Sequence, residues 1–268
     1  MGHSNGTRWE SACSFFPPAR VLPTASEPNV AAFLGIPYAT PPTGEKRFRP
    51  PEPIKAWSKP LNAHKPGNIC AQLPANALVK IPPQLLTKPN EDCLYLNVWV
   101  PTKTDGSIEH DNKPVLVFLH GGGYIGGNGF TELNCDFYDG QGLAKDIGAI
   151  VITINYRVGI FGFLAHPELF EESGTTGNYG IQDQREALKW IRNTASSFGG
   201  DPNRVTVMGQ SAGATSVLHH LLLPRSEGLF SKAISMSGYG VTWSLEKAYN
   251  RSRSLLSHLG PYTTALPL

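Results

Sequence analysis

The stretch that most limits what this chain can fold into is 198–213, FGGDPNRVTVMGQSAG, where a valine-rich run leads straight into Gly209-Gln210-Ser211-Ala212-Gly213. Val205, Val207 and Met208 read as a short buried strand, and the residues after Ser211 read as a helix stopped by Pro224, since proline cannot continue a helix. Between strand and helix the chain must turn sharply. Gly209 and Gly213 suit that turn, because a side chain at either position would crowd it and the neighbouring backbone. A serine hydroxyl is a weak nucleophile and needs an exposed position where a base can take its proton, which a strand-to-helix elbow supplies. Ser211 is therefore the candidate nucleophile.

Four further runs, 94–100, 115–119, 149–154 and 232–236, read as strands, being short and rich in Val, Ile and Leu, as does 204–208. Segments 141–147, 181–197 and 211–223 read as helices. Strand and helix alternate through the later half, which predicts an α/β fold with a mostly parallel sheet and helices on both faces. The earlier part differs. Of the 23 prolines, 17 fall at or before Pro101, so irregular, surface-hugging structure is expected there instead of long helices.

At 268 residues, 40% hydrophobic and 16% charged, the chain can bury a substantial core in one domain. A formal net charge of +2 is too small to draw it to nucleic acid or to an anionic membrane surface. No apolar run approaches the ~18 residues of a membrane-spanning helix. The first twenty residues also lack the basic start and continuous apolar core of a secretory leader. The cysteines are Cys13, Cys70, Cys93 and Cys135, and Cys70 with Cys93 enclose 22 residues, a spacing a disulfide allows. Sequons at Asn5 and Asn250 lean the same way, toward an oxidising or extracellular compartment.

A second motif closes the 115–119 strand: His120-Gly121-Gly122-Gly123-Tyr124. Acyl transfer passes through a tetrahedral oxyanion, and backbone N–H groups that stabilise it must approach with no side chain in the way. Consecutive glycines permit that approach, and the N–H of Ala212, just after the nucleophile, is the complementary donor. Either string alone occurs in unrelated proteins; it is their pairing in this order that points to one oxyanion hole. His120 precedes Ser211, opposite to the chain order in which this architecture places its base, and reads as a strand-end histidine holding the glycine loop. Nothing in these motifs calls for a metal or a cofactor.

With these residues in view, the chain resembles the type-B carboxylesterase and cholinesterase family of α/β-hydrolases. Besides the elbow, EDCLYLNV (91–98), FLGIPYATPPTGEKRFRPP (33–51), NYRVGIFGFL (155–164) and GNYGIQDQREALKW (177–190) are similar to that family. The likeness extends from about 33 to about 260, leaving 1–30 and 261–268 without family character. The resemblance implies a carboxylic ester as substrate, Ser211 as acyl-accepting nucleophile, and Gly122, Gly123 and Ala212 as oxyanion donors. It also implies a Cys70–Cys93 disulfide and an Arg47–Glu91 ion pair, and it makes Asp183 and Gln184 scaffold positions.

The catalytic set is incomplete on this reading. Only 57 residues follow Ser211, with His219, His220 and His258 as histidines and Glu227 and Glu246 as acids. His219 lies about 12 Å up the same helix, too far to reach the serine. The family places its acid and histidine further downstream, and after Leu259-Gly260 the sequence PYTTALPL departs from it, so a C-terminally truncated form lacking both groups is expected. The aromatic residues that would hold a choline cation are also missing from 71–92, and residue 210 is Gln, which favours a general carboxylesterase over a cholinesterase. The rival readings are a non-catalytic, neuroligin-like adhesion or binding protein and an inactive fragment.

Overall fold

The Val- and Ile-rich runs form the centre of a six-stranded sheet in the computed structural model, which describes residues 21–23, 29–72, 89–130, 140–240 and 242–258. The strands are β1 (Val21–Pro23), β2 (Val30–Pro37), β3 (Leu61–Ala63), β4 (Tyr95–Pro101), β5 (Lys113–Leu119), β6 (Ile150–Ile154), β7 (Gly200–Gln210) and β8 (Lys232–Met236). The helices are α1 (Gly140–Ile147), α2 (Gly159–Phe163), α3 (Pro167–Ser173), α4 (Tyr179–Thr194), α5 (Ala212–Leu222) and α6 (Leu245–Ser257). The large sheet has the order β2-β4-β6-β5-β7-β8, and β1 pairs with β3 apart from it. From β6 to β8 every pairing is parallel, whereas the β2–β4 and β4–β6 pairings are antiparallel. The architecture is a mixed α/β sheet, mostly parallel in its later half, as the alternation of strands and helices predicted.

Side chains alternate between the two faces of a strand, and the core divides accordingly. Val98, Val117, Ile152 and Val207 pack with Leu188 and Ile191 of α4 and Val217 of α5. The intervening residues Trp99 and Val151 face the other way, onto Ala144 of α1. Helix α4 buries Ile181, Gln184, Ala187, Leu188 and Ile191, the i, i+3, i+4, i+7 spacing of a core-facing stripe. Gly140 lets α1 approach its strand, since a Cβ there would lie 2.5 Å from the Trp99 ring. At the β8 edge the cover thins, and Ile234 is 44% exposed.

Strand β2 lies in the proline-rich region expected to be irregular. Its one proline, Pro37, is its last residue, opposite Tyr95, so none interrupts the strand, and a register shift between Phe33 and Ile36 absorbs the bend. The short helices α2 and α3 were not expected either, each being only one or two turns.

Buried charge fixes the segment between β6 and α4. Arg157 donates from its backbone N, Nε and Nη2 to Asp183 at 2.7–3.0 Å and stacks over the Tyr179 ring. Burial pushes the Asp183 carboxyl upward against the pull of this guanidinium. It also works against the Arg157 cation, which Asp183 nonetheless holds above its usual value. Nearer the N-terminus, Arg47 meets Glu91 through two hydrogen bonds of 2.6 and 2.7 Å, and Cys70 is joined to Cys93 by a disulfide.

Candidate active site

Strands β5 and β7 are parallel neighbours, and Leu119 pairs with Gly209. His120, just past β5, and Gln210, the last residue of β7, therefore stand side by side at the carboxyl edge of the sheet, where open α/β sheets bind ligands. Gly121 then faces Ser211: a Cβ built on it would lie 3.3 Å from Ser211 Cβ and 2.9 Å from Gln210 Oε1.

Ser211 sits at the elbow with φ 55° and ψ −120°, a conformation L-residues rarely adopt. Its N–H donates to the Met236 carbonyl at 2.9 Å, and its own carbonyl accepts the Thr215 N–H at 3.0 Å, which starts α5. The turn is as tight as the two glycines suggested. A Cβ on Gly209 would lie 2.4 Å from the Gly213 carbonyl carbon, and one on Gly213 would lie 2.0 Å from the Leu119 carbonyl oxygen. Ala212 is the first residue of α5, so its N–H has no intrahelical acceptor and stands at the positive end of the helix dipole.

The glycine loop turns back on itself, with the Gly122 carbonyl accepting from the N–H groups of Ile125 and Gly126 at 3.1 and 3.2 Å. Gly122 and Gly123 have φ values of 102° and 61°, and a Cβ on Gly122 would lie 2.1 Å from the Gly126 oxygen. Among the described residues no acceptor engages the N–H of either glycine. Gln72 clamps the far end: its Nε2 donates to the Cys70 and Gly127 carbonyls, and its Oε1 accepts the Gly127 N–H at 2.8 Å. The Cys70–Cys93 bond thus steadies the segment that holds this loop.

His120 stacks on Tyr156, with ring centroids 4.1 Å apart, and its Nδ1 is 2.8 Å from the Gly121 carbonyl, which makes Nδ1 the protonated nitrogen. Burial lowers its pKa to about 4, so the ring is neutral at ordinary pH. It holds the loop's first residue and has no contact that makes it a base for Ser211.

Two histidines that follow Ser211 are also occupied elsewhere. His220 is buried, with Nε2 on Gln184 Oε1 at 3.0 Å and Nδ1 near Ser226 Oγ at 2.9 Å. His258 closes α6, its Nδ1 2.6 Å from the Ser254 carbonyl. Glu227 and Glu246 are exposed. Among the described residues, neither a histidine nor a carboxylate hydrogen-bonds to the Ser211 hydroxyl. Two contributors lay beyond sequence reading: the Gln72 clamp, and the Tyr124 hydroxyl, 3.0 Å from Ser216 Oγ. A glutamine two residues past a cysteine and an aromatic ending a glycine run carry no local signal of those contacts.

The family model described as "Carboxylesterase family" matches residues 20–262. The para-nitrobenzyl esterase of Bacillus subtilis (strain 168) is 43% identical over 235 residues, 88% of this chain and 45% of that protein. The acetylcholinesterase of Danio rerio is 41% identical over 243 residues, 89% of this chain and 37% of its own length. A solved thermophilic PNB esterase superposes with a TM-score of 0.78 at 40% identity, covering 90% of this chain and 49% of that one. The chain spans less than half the length of the curated relatives it matches.

Proposed function

The chain belongs to the carboxylesterase family, and from that premise we propose that it carries the nucleophile and oxyanion hole of a serine carboxylic ester hydrolase. Ser211 Oγ attacks the ester carbonyl carbon, and the carbonyl oxygen takes up the negative charge. The N–H groups of Gly122, Gly123 and Ala212 converge on that oxygen, each worth about 3 kcal/mol in the transition state. Collapse of the tetrahedral intermediate expels the alcohol and leaves an acyl-Ser211 ester, which water then hydrolyses. The observation that carries this reading is the Leu119–Gly209 pairing, which sets the glycine loop beside the elbow.

Among the described residues no histidine is placed to take the Ser211 proton and no acid to orient one. Without them turnover falls by about a millionfold, and what remains comes from the oxyanion hole and binding. The substrate is a small carboxylic ester. No described helix is long and apolar enough to cross a membrane, and the Cys70–Cys93 bond supports folding in an oxidising compartment.

The test is a fluorophosphonate probe together with a p-nitrophenyl ester. The 268-residue chain should form a slow, stoichiometric adduct at Ser211, located by peptide mass spectrometry and lost in Ser211→Ala, with negligible ester turnover. An adduct unchanged in Ser211→Ala removes the nucleophile assignment. Ester turnover that depends on Ser211 shows instead that the chain holds its own base.

A further inference from the structure

Beneath the elbow, side chains from four segments join end to end. Ser226, in the turn after α5, donates to His220 Nδ1 at 2.9 Å, and His220 Nε2–H donates to Gln184 Oε1 on α4 at 3.0 Å. Gln184 Nε2–H donates to Ser216 Oγ on α5 at 3.0 Å, and Ser216 Oγ lies 3.0 Å from Tyr124 Oη in the glycine loop. The Gln184 amide fixes the direction: with its NH2 committed to Ser216, its oxygen faces His220, so the ring carries its proton on Nε2.

Ser226, His220, Gln184 and Ser216 are all buried, so each polar atom depends on its neighbour in this series. Burial keeps His220 neutral, with its pKa lowered to about 4. Tyr124, the last member, has φ 61° although it is not glycine. Its carbonyl accepts the Gly159 N–H at 2.6 Å and its ring packs on Phe163 with centroids 4.8 Å apart, so the residue is held at three points. Phenylalanine at 124 would keep the ring packing and lose only the link to Ser216.

We propose that His220 is a positioning residue that acts through Gln184, Ser216 and Tyr124 to fix the glycine loop, and with it the direction of the Gly122 and Gly123 N–H groups. The assignment rests on the reading of that loop as the oxyanion hole. The relay spans the two helices that flank the elbow, so it couples the loop on β5 to the helix that begins at the nucleophile. Its action is geometric, with no net proton transfer along it.

Amide hydrogen exchange on the full chain tests it, read at Ile125, Gly126, Gly127 and Gly159, whose N–H groups hold the loop together. Tyr124→Phe should speed exchange at these positions by about three- to tenfold while β5 and β7 keep their protection. His220→Leu should do the same, His220→Gln should restore most of the protection by returning a donor to Gln184, and His220→Leu should add nothing in a Ser216→Ala background. Unaltered loop exchange in Tyr124→Phe overturns the proposal, as does a His220→Leu effect that persists undiminished in Ser216→Ala. Should His220→Leu fail to fold, Tyr124→Phe and Ser216→Ala decide alone. Loop exchange does not depend on the reactivity of Ser211, so a failure here is distinct from a failure of fluorophosphonate labelling.

Discussion

A Cβ on Gly213 would lie 2.0 Å from the carbonyl oxygen of Leu119, so α5 and β5 meet backbone to backbone directly beside Ser211. Neither partner is a flexible side chain, and relief requires moving the helix that starts at the nucleophile. Gly213→Ala should destabilise the fold by about 1–3 kcal/mol or more and abolish adduct formation at Ser211. Gly142, exposed in α1 with nothing within 4 Å of a built Cβ, is the internal comparison. Gly142→Ala should stabilise by about 0.5–1 kcal/mol. Urea unfolding of both variants checks the contrast, and equal effects would remove the packing argument.

The Arg157–Asp183 pair should be intolerant of losing one partner. Asp183→Asn leaves a buried guanidinium with no counter-charge and weaker acceptors, which costs about 3–5 kcal/mol. Replacing Lys46, whose ion pair with Glu52 is exposed at both ends, should change stability by less than about 1 kcal/mol. The measurement is the shift in the urea midpoint, and similar losses for the two would contradict the burial argument.

These cases show where sequence sufficed and where it did not. The elbow was legible because Gly209, Ser211 and Gly213 answer a local constraint, and β4, β5 and β6 were legible because strands largely buried on both faces are continuous apolar runs. Strand β2 was hidden by flanking prolines, whose restriction acts at its ends and leaves the middle free to pair with β4. Gln72, Tyr124 and Ser216 were hidden for another reason. Their partners lie 55 and 92 residues away, and only the assembled sheet brings them together. Arg47 with Glu91 was anticipated from resemblance alone, since nothing in either local sequence demands the other.

Two buried histidines give the chain a defined acid response. Burial lowers His120 and His220 from 6.5 to about 4, so the unfolded chain binds protons that the folded chain refuses between those values. Stability is therefore full above about pH 6.5 and falls as the pH drops toward 4, by about 2 kcal/mol per histidine between pH 7.5 and pH 5. His220→Gln, which removes one of the two groups, should flatten this slope by about half of the histidine contribution. Chemical denaturation at the two pH values reads it directly, and an unchanged slope in the variant would show that His220 is not the titrating group.

Ser211 occupies φ 55°, ψ −120° because the strand-to-helix turn dictates it, at an energetic cost of about 1–3 kcal/mol for a residue with a Cβ. Glycine takes that conformation without steric penalty, although it loses more freedom on folding. Ser211→Gly should therefore be more stable than the native chain by about 0.5–2 kcal/mol, whereas Ser211→Ala, which keeps the Cβ, should be close to neutral. Both variants should lose the fluorophosphonate adduct. Thermal unfolding separates them, and a glycine variant no more stable than the alanine variant would mean that the elbow holds no strain. Retention of serine at a position where glycine fits the backbone better is what a nucleophile's place in the fold entails: the turn that raises the hydroxyl out of the sheet also strains the residue that bears it.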